Sequence, residues 1–221
     1  MTADRHAPIG TTEAVVARAR ALIPVLRERA GETDRALELP PETVADLKRT
    51  GLHRVFQPKR FGGSESPFRA GIEILAAVGQ GCGSTAWVLV QNMTHNLMLA
   101  QWPEAAQEEI WGSQQDALLS GILIPGIGRA TSVPGGYRLS GRWPFVSGVN
   151  CSDWTLFTAM VPDGAGVVQD RDFVIPRHEY TILDTWQAMG LRGSRPTPRI
   201  SPAVTVSLIS RGISTYSGSA T

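Results

Sequence analysis

The hydrophobic residues of this chain change their spacing near Asp116. Before that position, apolar side chains recur at helical spacing, which predicts amphipathic helices. After it, short apolar runs are separated by glycine and proline turns, which predicts short strands. We therefore expect an α+β protein, with a helical domain followed by a small antiparallel β-domain, rather than strands that alternate with helices.

The first half contains five helical patterns. The first can be capped by Thr11 or Thr12, and the second begins after a proline pair and ends at Gly51. The fourth is apolar nearly all round, which predicts that it is buried. The predicted helices cover residues 12–30, 41–50, 67–79, 85–101 and 103–111.

The second half contains strand signals that recur at short intervals. Pro134, Gly135 and Gly136 predict a hairpin turn. The domain division that we expect is a helical N-terminal domain at 1–115, a middle β-domain at 116–200 and an atypical tail at 195–221. The tail contains no Asp, Glu or Lys and is rich in Ser, Thr and Pro, so we expect it to pack weakly.

Composition narrows the class of protein. Hydrophobic residues make up 42% and the net charge is +1, which favours a packed core over disorder and gives no reason to expect a nucleic-acid partner. No apolar run approaches the ~18 residues of a membrane span, and no signal peptide is visible. Cys82 and Cys151 suggest neither a disulfide framework nor a metal site. We expect a soluble cytoplasmic protein without a metal.

Three features could carry chemistry. Residues 143–148 form an aromatic segment that ends in Ser147 and Gly148, where a flat ring could approach the backbone. On local chemistry alone, an ordinary turn after a core strand is the favoured explanation. His95 could act as an acid or base, or it could be a core histidine bonded to a carbonyl. Arg192 could bind a phosphate or stack on a ring, or be a solvated loop residue.

Several motifs resemble a known superfamily. Residues 39–44, 51–52 and 58–63 look like the N-terminal helical domain of the acyl-CoA dehydrogenase fold. Residues 83–88 and 135–148 resemble its flavin-dependent, two-component monooxygenase branch, of the 4-hydroxyphenylacetate and secosteroid-phenol hydroxylase type. Trp186 with residues 190–194 is similar to the next motif of that branch. The resemblance covers about residues 12–194.

This resemblance implies roles for the candidate residues. The flavin ring would lie between the β-domain and a C-terminal four-helix bundle, and the substrate phenol would contact His95 as a catalytic residue. The oxygenase would use reduced FMN or FAD from a separate flavin reductase to hydroxylate an aromatic or polycyclic small molecule with O2. Such proteins are homo-oligomers. The implied flavin-binding residues are Trp143, Phe145, Ser147, Gly148 and Arg192.

The sequence also departs from the family pattern. Residues 121–124 hold no serine before Pro125, which predicts a more apolar substrate pocket. After Ser194 the family pattern stops and no helical bundle follows, which we interpret as a truncation, through a reading-frame shift or as a natural short variant. We therefore expect weak flavin binding by this chain alone. The alternatives are an acyl-CoA dehydrogenase that uses FAD, and an inactive fragment of either enzyme.

Overall fold

A computed structural model of the chain describes residues 9–162, 168–183 and 189–194, and the backbone of residues 198–207. Its first half is helical, as the hydrophobic spacing predicts. Two 3₁₀ turns at Leu52–Arg54 and Lys59–Phe61 lie between α3 and α4, and a π turn at Glu108–Gly112 continues α6. The α-helices are α1 (Thr12–Ala21), α2 (Ile23–Ala36), α3 (Pro41–Thr50), α4 (Phe68–Gly81), α5 (Gly83–Leu99) and α6 (Glu104–Gln107).

The first predicted helix is two helices. Thr11 caps α1, and its hydroxyl accepts a hydrogen bond from the backbone N–H of Ala14 at 3.3 Å. The helix then breaks at Leu22, because Pro24 in the first turn of α2 has no backbone N–H and favours a new helix start. The predicted end of α3 is confirmed, since Gly51 adopts a left-handed φ of 71°.

The second half is a sheet of seven strands within the described residues, in the order β1-β4-β2-β3-β7-β6, with β5 paired to β4. Gly135, with a φ of 79°, forms the turn of the predicted hairpin between β2 and β3. The strands are β1 (Leu119–Ile122), β2 (Gly128–Val133), β3 (Gly136–Arg142), β4 (Trp154–Pro162), β5 (Val168–Pro176), β6 (Thr181–Ile182) and β7 (Pro198–Ser207).

The sheet is mixed, whereas we expected an antiparallel one. Strand β4 runs parallel to both β1 and β2, and the other pairs are antiparallel. Parallel pairing needs a long crossover between the paired strands. The β2–β3 hairpin and residues 143–153 supply that crossover between β1 and β4.

The expectation of weak packing is wrong for the backbone of residues 198–207. These residues form β7, which pairs with β3 on one side and with β6 on the other. The β7 pairing register breaks between Leu139 and Gly141 of β3, which indicates a bulge. The remainder of the atypical tail, at 195–197 and 208–221, lies outside the described residues.

Polar side chains join the helical half to the sheet. The Asp153 carboxylate lies 2.9 Å from Lys48 Nζ of α3, and it accepts a hydrogen bond from the Leu118 N–H at 2.8 Å. The Asn92 side-chain oxygen of α5 accepts one from the Leu119 N–H at 2.8 Å. These bonds satisfy backbone groups where β1 begins against α5. Among the described residues, no helix is both long and apolar enough to cross a bilayer.

Candidate functional site

The turn at residues 145–148 has an unusual backbone. Phe145 adopts a φ of 61°, and Gly148 a φ of 79°. A left-handed φ strains a bulky residue such as Phe145, and strain of this kind often accompanies a binding surface. The Phe145 ring is 63% exposed, whereas Ser147 is only 7% exposed. The turn therefore holds an aromatic ring at the surface beside a nearly buried hydroxyl.

Trp143 does not reach this surface. Its side chain is fully buried, its Nε1 donates a hydrogen bond to the Thr158 carbonyl at 2.9 Å, and its ring lies 4.6 Å from that of Phe157. Gly128 and Gly141 are in close contact with the indole, so a side chain at either position would displace it. Trp143 supports the turn from the core of the sheet, and its fully buried side chain leaves no ring surface for the cofactor contact that we expected.

Ser147 accepts a hydrogen bond from Trp87, which lies in the helix that we predicted to be buried. Trp87 of α5 is 42% exposed, and its Nε1 donates a hydrogen bond to Ser147 Oγ at 2.8 Å. An indole N–H can only donate, so Ser147 accepts this bond and keeps its own hydroxyl proton for another partner. No local sequence pattern predicts the hydrogen bond between Trp87 and Ser147, because the two residues lie 60 positions apart.

A third segment completes this surface. The Gly148 N–H donates a hydrogen bond to the Ser194 carbonyl at 2.9 Å. Leu191, which is 42% exposed, lies against Gly83 at the start of α5. The structure thus brings together the start of α5, the turn at 145–148 and residues 191–194. We call the exposed side chains of Trp87, Phe145 and Leu191, with Ser147, the aromatic wall.

Arg192 lies beside α2. Its Nε is 3.6 Å from Asp34 Oδ1, a distance that allows electrostatic attraction but is too long for a hydrogen bond. The adjacent Gly193 packs against Thr33 and Ser84, where a Cβ would lie 2.2 Å from the Thr33 methyl carbon. The Arg192 guanidinium therefore helps to seat this loop on α2. Trp186 lies outside the described residues.

His95 lies about two helical turns beyond Trp87 on α5, about 12 Å along the axis, and unlike Trp87 it is buried. Its Nδ1 is 2.6 Å from the Gln91 carbonyl oxygen, so Nδ1 carries the proton and Nε2 is left as an acceptor. Burial lowers the pKa of His95 from its ordinary value of 6.5 to about 4. The hydrogen bond to the carbonyl is typical of a core histidine, and Nε2 remains available as a hydrogen-bond acceptor.

Gly121 of β1 allows His95 this position. A Cβ at residue 121 would lie 2.6 Å from His95 Nε2 and 2.9 Å from the Leu156 Cβ. The absence of a side chain thus opens the space in front of Nε2. Ile122 and Leu123 are half-buried and Ile124 is 40% exposed, so the strand end beside His95 is apolar. That it lines a substrate pocket stays a prediction.

A cleft of about 320 Å³ lies beside the aromatic wall. Its floor is mostly apolar, and the Asn150 amide donates a hydrogen bond to the Glu38 carboxylate at its rim at 2.7 Å. Burial raises the pKa of the Cys151 thiol to about 12, so this cysteine is not a nucleophile. The lining residues that the cleft shares with the turn and the 191–194 loop are Gly148, Gly193 and Ser194.

Comparison with known proteins identifies relatives of both halves. Residues 11–115 match the family described as acyl-CoA dehydrogenase, N-terminal domain. The oxygenase subunit HsaA of a flavin-dependent monooxygenase from Rhodococcus jostii (strain RHA1) is 35% identical over 174 residues, which are 79% of this chain and 45% of that protein. The oxygenase component of the FADH(2)-dependent resorcinol hydroxylase of Rhizobium sp. (strain MTP-10005) is 34% identical over 81% of this chain and 44% of its own length.

Solved structures agree with these relatives. The HsaA monooxygenase from M. tuberculosis superposes with a TM-score of 0.85 at 33% identity, over 91% of this chain and 55% of that one. XiaF from Streptomyces sp., solved in complex with FADH2 and glycerol, superposes with a TM-score of 0.83 at 28% identity, over 90% of this chain and 50% of its own. The chain spans about half the length of the relatives it matches.

Proposed function

Since the helical half of this chain is an acyl-CoA dehydrogenase N-terminal domain, and the chain is related to the oxygenase components of flavin-dependent monooxygenases, we propose that it binds reduced flavin at the aromatic wall. In this proposal the chain forms the helical and β portions of an oxygenase that hydroxylates an aromatic small molecule. O2 is the second substrate, and a separate reductase supplies the reduced flavin.

The hydrogen bond between Trp87 and Ser147 carries this proposal. A flavin ring is flat and largely apolar, with hydrogen-bonding atoms along one edge. The exposed rings of Trp87 and Phe145 offer it an apolar surface. Ser147 accepts the hydrogen bond from Trp87 and has a hydroxyl proton still available for the polar edge. The residues present therefore fit the group, although Trp143 does not take part through its side chain.

The chain's own residues would position the reactants and control one proton. Bound reduced flavin supplies the two electrons that let one oxygen atom of O2 enter the aromatic ring while the other leaves as water. The apolar strand end at Ile122 excludes water from the substrate. His95 Nε2 would accept a hydrogen bond from a phenolic hydroxyl and so fix the direction of that proton, because the bond from Nδ1 to the Gln91 carbonyl leaves Nε2 as an acceptor.

We take reduced FAD as the first candidate cofactor and reduced FMN as the second. The names of two relatives support this order, since one is called FADH(2)-dependent and another was solved with FADH2. The same names support a separate reductase, because an oxygenase component implies another component that reduces the flavin. The aromatic substrate class rests on resorcinol in the name of that relative.

Anaerobic titration of the full chain tests the proposal. Reduced FAD and reduced FMN are added under argon to the wild type, to Ser147→Ala and to Ser132→Ala, a control for an exposed serine on β2. We expect saturable binding that Ser147→Ala weakens about tenfold, as the loss of one hydrogen bond to a buried ligand edge would do. The control should stay within about twofold of the wild type.

Two results would contradict this function. Equal affinities of the wild type and Ser147→Ala for both flavins would show that the flavin does not bind at the aromatic wall. Bleaching of bound oxidised FAD by butyryl-CoA would instead favour the acyl-CoA dehydrogenase alternative, because only that activity passes a hydride from a thioester to the flavin.

A further inference from the structure

Three arginines lie together on the outer face of the β2–β3 hairpin. Arg129 of β2 stands opposite Ser140 of β3, so it is diagonal to both Arg138 and Arg142. Diagonal neighbours across an antiparallel pair are about 7–8 Å apart, within reach of long side chains. All three arginines are exposed. We call this set the arginine face.

The arginine face has no local counter-charge. None of its three side chains forms an ion pair or hydrogen bond with another residue that the structure describes. Other surface arginines do form ion pairs, as Arg60 does with Glu104 and Arg69 with Glu73. Charge is therefore neutralised at those sites but left unbalanced here.

The neighbouring strands do not supply an acid close to the arginine face. On the β3 side, Arg199 of β7 stands opposite Arg142 in the pairing register, and the β7 sequence contains no acidic residue. On the β2 side, Asp170 and Asp172 belong to β5, which lies beyond β4. These carboxylates accept hydrogen bonds from the Gly126 N–H and from Thr158 Oγ1. The positive charge thus faces outward, in a protein whose net charge is only +1.

We propose that the arginine face is a docking surface for an acidic patch on a partner protein. Arg138 and Arg142 are four residues apart on one strand, which is about 13 Å. One phosphate group cannot bridge that distance, whereas several carboxylates on a protein surface can each pair with one guanidinium. Complementary charge of this kind guides association and sets its orientation. The inference is independent of the proposed flavin chemistry.

Binding of the full chain to poly-L-glutamate tests the inference. The triple variant Arg129→Gln, Arg138→Gln, Arg142→Gln is compared with a control triple, Arg49→Gln, Arg60→Gln, Arg69→Gln, which removes the same charge from arginines paired with acids. Affinity is measured by fluorescence anisotropy of labelled poly-L-glutamate at rising salt. A third variant, Arg129→Lys, Arg138→Lys, Arg142→Lys, keeps the charge and checks that the hairpin tolerates substitution.

We expect the wild type to bind poly-L-glutamate at low salt and to lose affinity as salt rises. The arginine-face triple should bind about tenfold more weakly, and the control triple should change less than threefold. The lysine variant should retain most of the affinity. Equal loss in the two glutamine triples would overturn the inference. So would tighter binding of inorganic phosphate or of a duplex DNA probe than of poly-L-glutamate to the same face.

Discussion

The Nε1 of Trp87 lies 2.8 Å from Ser147 Oγ and donates a hydrogen bond to it, which joins the first turns of α5 to the turn after β3. The Ser147 oxygen accepts this bond, because an indole N–H can only donate. The Ser147 hydroxyl proton therefore remains available to a ligand. The proposed flavin site therefore depends on a residue of the helical half.

We expect Trp87→Phe to weaken the binding of reduced FAD about tenfold with little change in stability. The substitution keeps an aromatic ring but removes the N–H, so Ser147 can rotate away from the ligand. Trp87 is 42% exposed, so the core is not affected. Anaerobic titration gives the affinity, and Trp154→Phe, at the start of β4, serves as the control. An unchanged affinity in Trp87→Phe would argue against a positioning role.

Phe145 and Trp143 should show opposite effects on stability and binding. Trp143→Phe removes the bond to the Thr158 carbonyl inside the core, which costs roughly 1–3 kcal/mol of unfolding free energy, and it should leave flavin affinity within about twofold. Phe145→Gly relieves a left-handed backbone at the surface, which offsets the loss of ring contacts to within about 1 kcal/mol, and it should weaken flavin binding.

Urea unfolding and anaerobic titration separate these two effects. A Trp143→Phe protein that is as stable as the wild type but binds flavin poorly would indicate that Trp143 contacts the cofactor.

Gly121→Ala should destabilise the protein by roughly 1–3 kcal/mol. The new methyl group would overlap His95 Nε2 and the Leu156 side chain, both of which are buried and cannot easily move. Gly190→Ala is the matched control, because a Cβ there meets nothing within 4 Å. Combining Gly121→Ala with His95→Ala should recover part of the loss. Full stability of the single variant would show that His95 does not occupy this position.

The unfolding free energy should fall as the pH drops from 6.5 to 5. Burial lowers the pKa of both His53 and His95 to about 4, from an ordinary value of 6.5. The unfolded chain therefore takes up these protons first, and each histidine removes about 2 kcal/mol of stability over this range. Urea unfolding at a series of pH values gives the slope.

Substituting one histidine at a time shows how much each contributes to the dependence of the unfolding free energy on pH. His95→Gln should lower the slope by the contribution of one buried histidine, and His53→Gln should lower it by a similar amount. A slope that His95→Gln does not alter would mean that this histidine titrates normally in the folded protein.

Local patterns of the chain anticipated the elements well. The start of α1 at Thr11, the end of α3 at Gly51 and the hairpin at Gly135 each follow from a preference of one residue type for one backbone conformation. The family resemblance, read from short motifs, is confirmed by the comparisons. Ser147 was identified from its position at a strand end, and its role as a flavin contact stays a prediction.

Tertiary structure decided which of the aromatic and polar residues face outward. A hydrophobic pattern does not distinguish Trp143 from Trp87, yet one is fully buried in the sheet and the other borders Ser147. The pKa of His95 depends on how deeply α5 is buried by other segments. The parallel pairing of β4 with β1 depends on the long connection between these two strands. Spacing along a chain reports periodicity, whereas burial and pairing depend on distant segments that only the folded chain brings together.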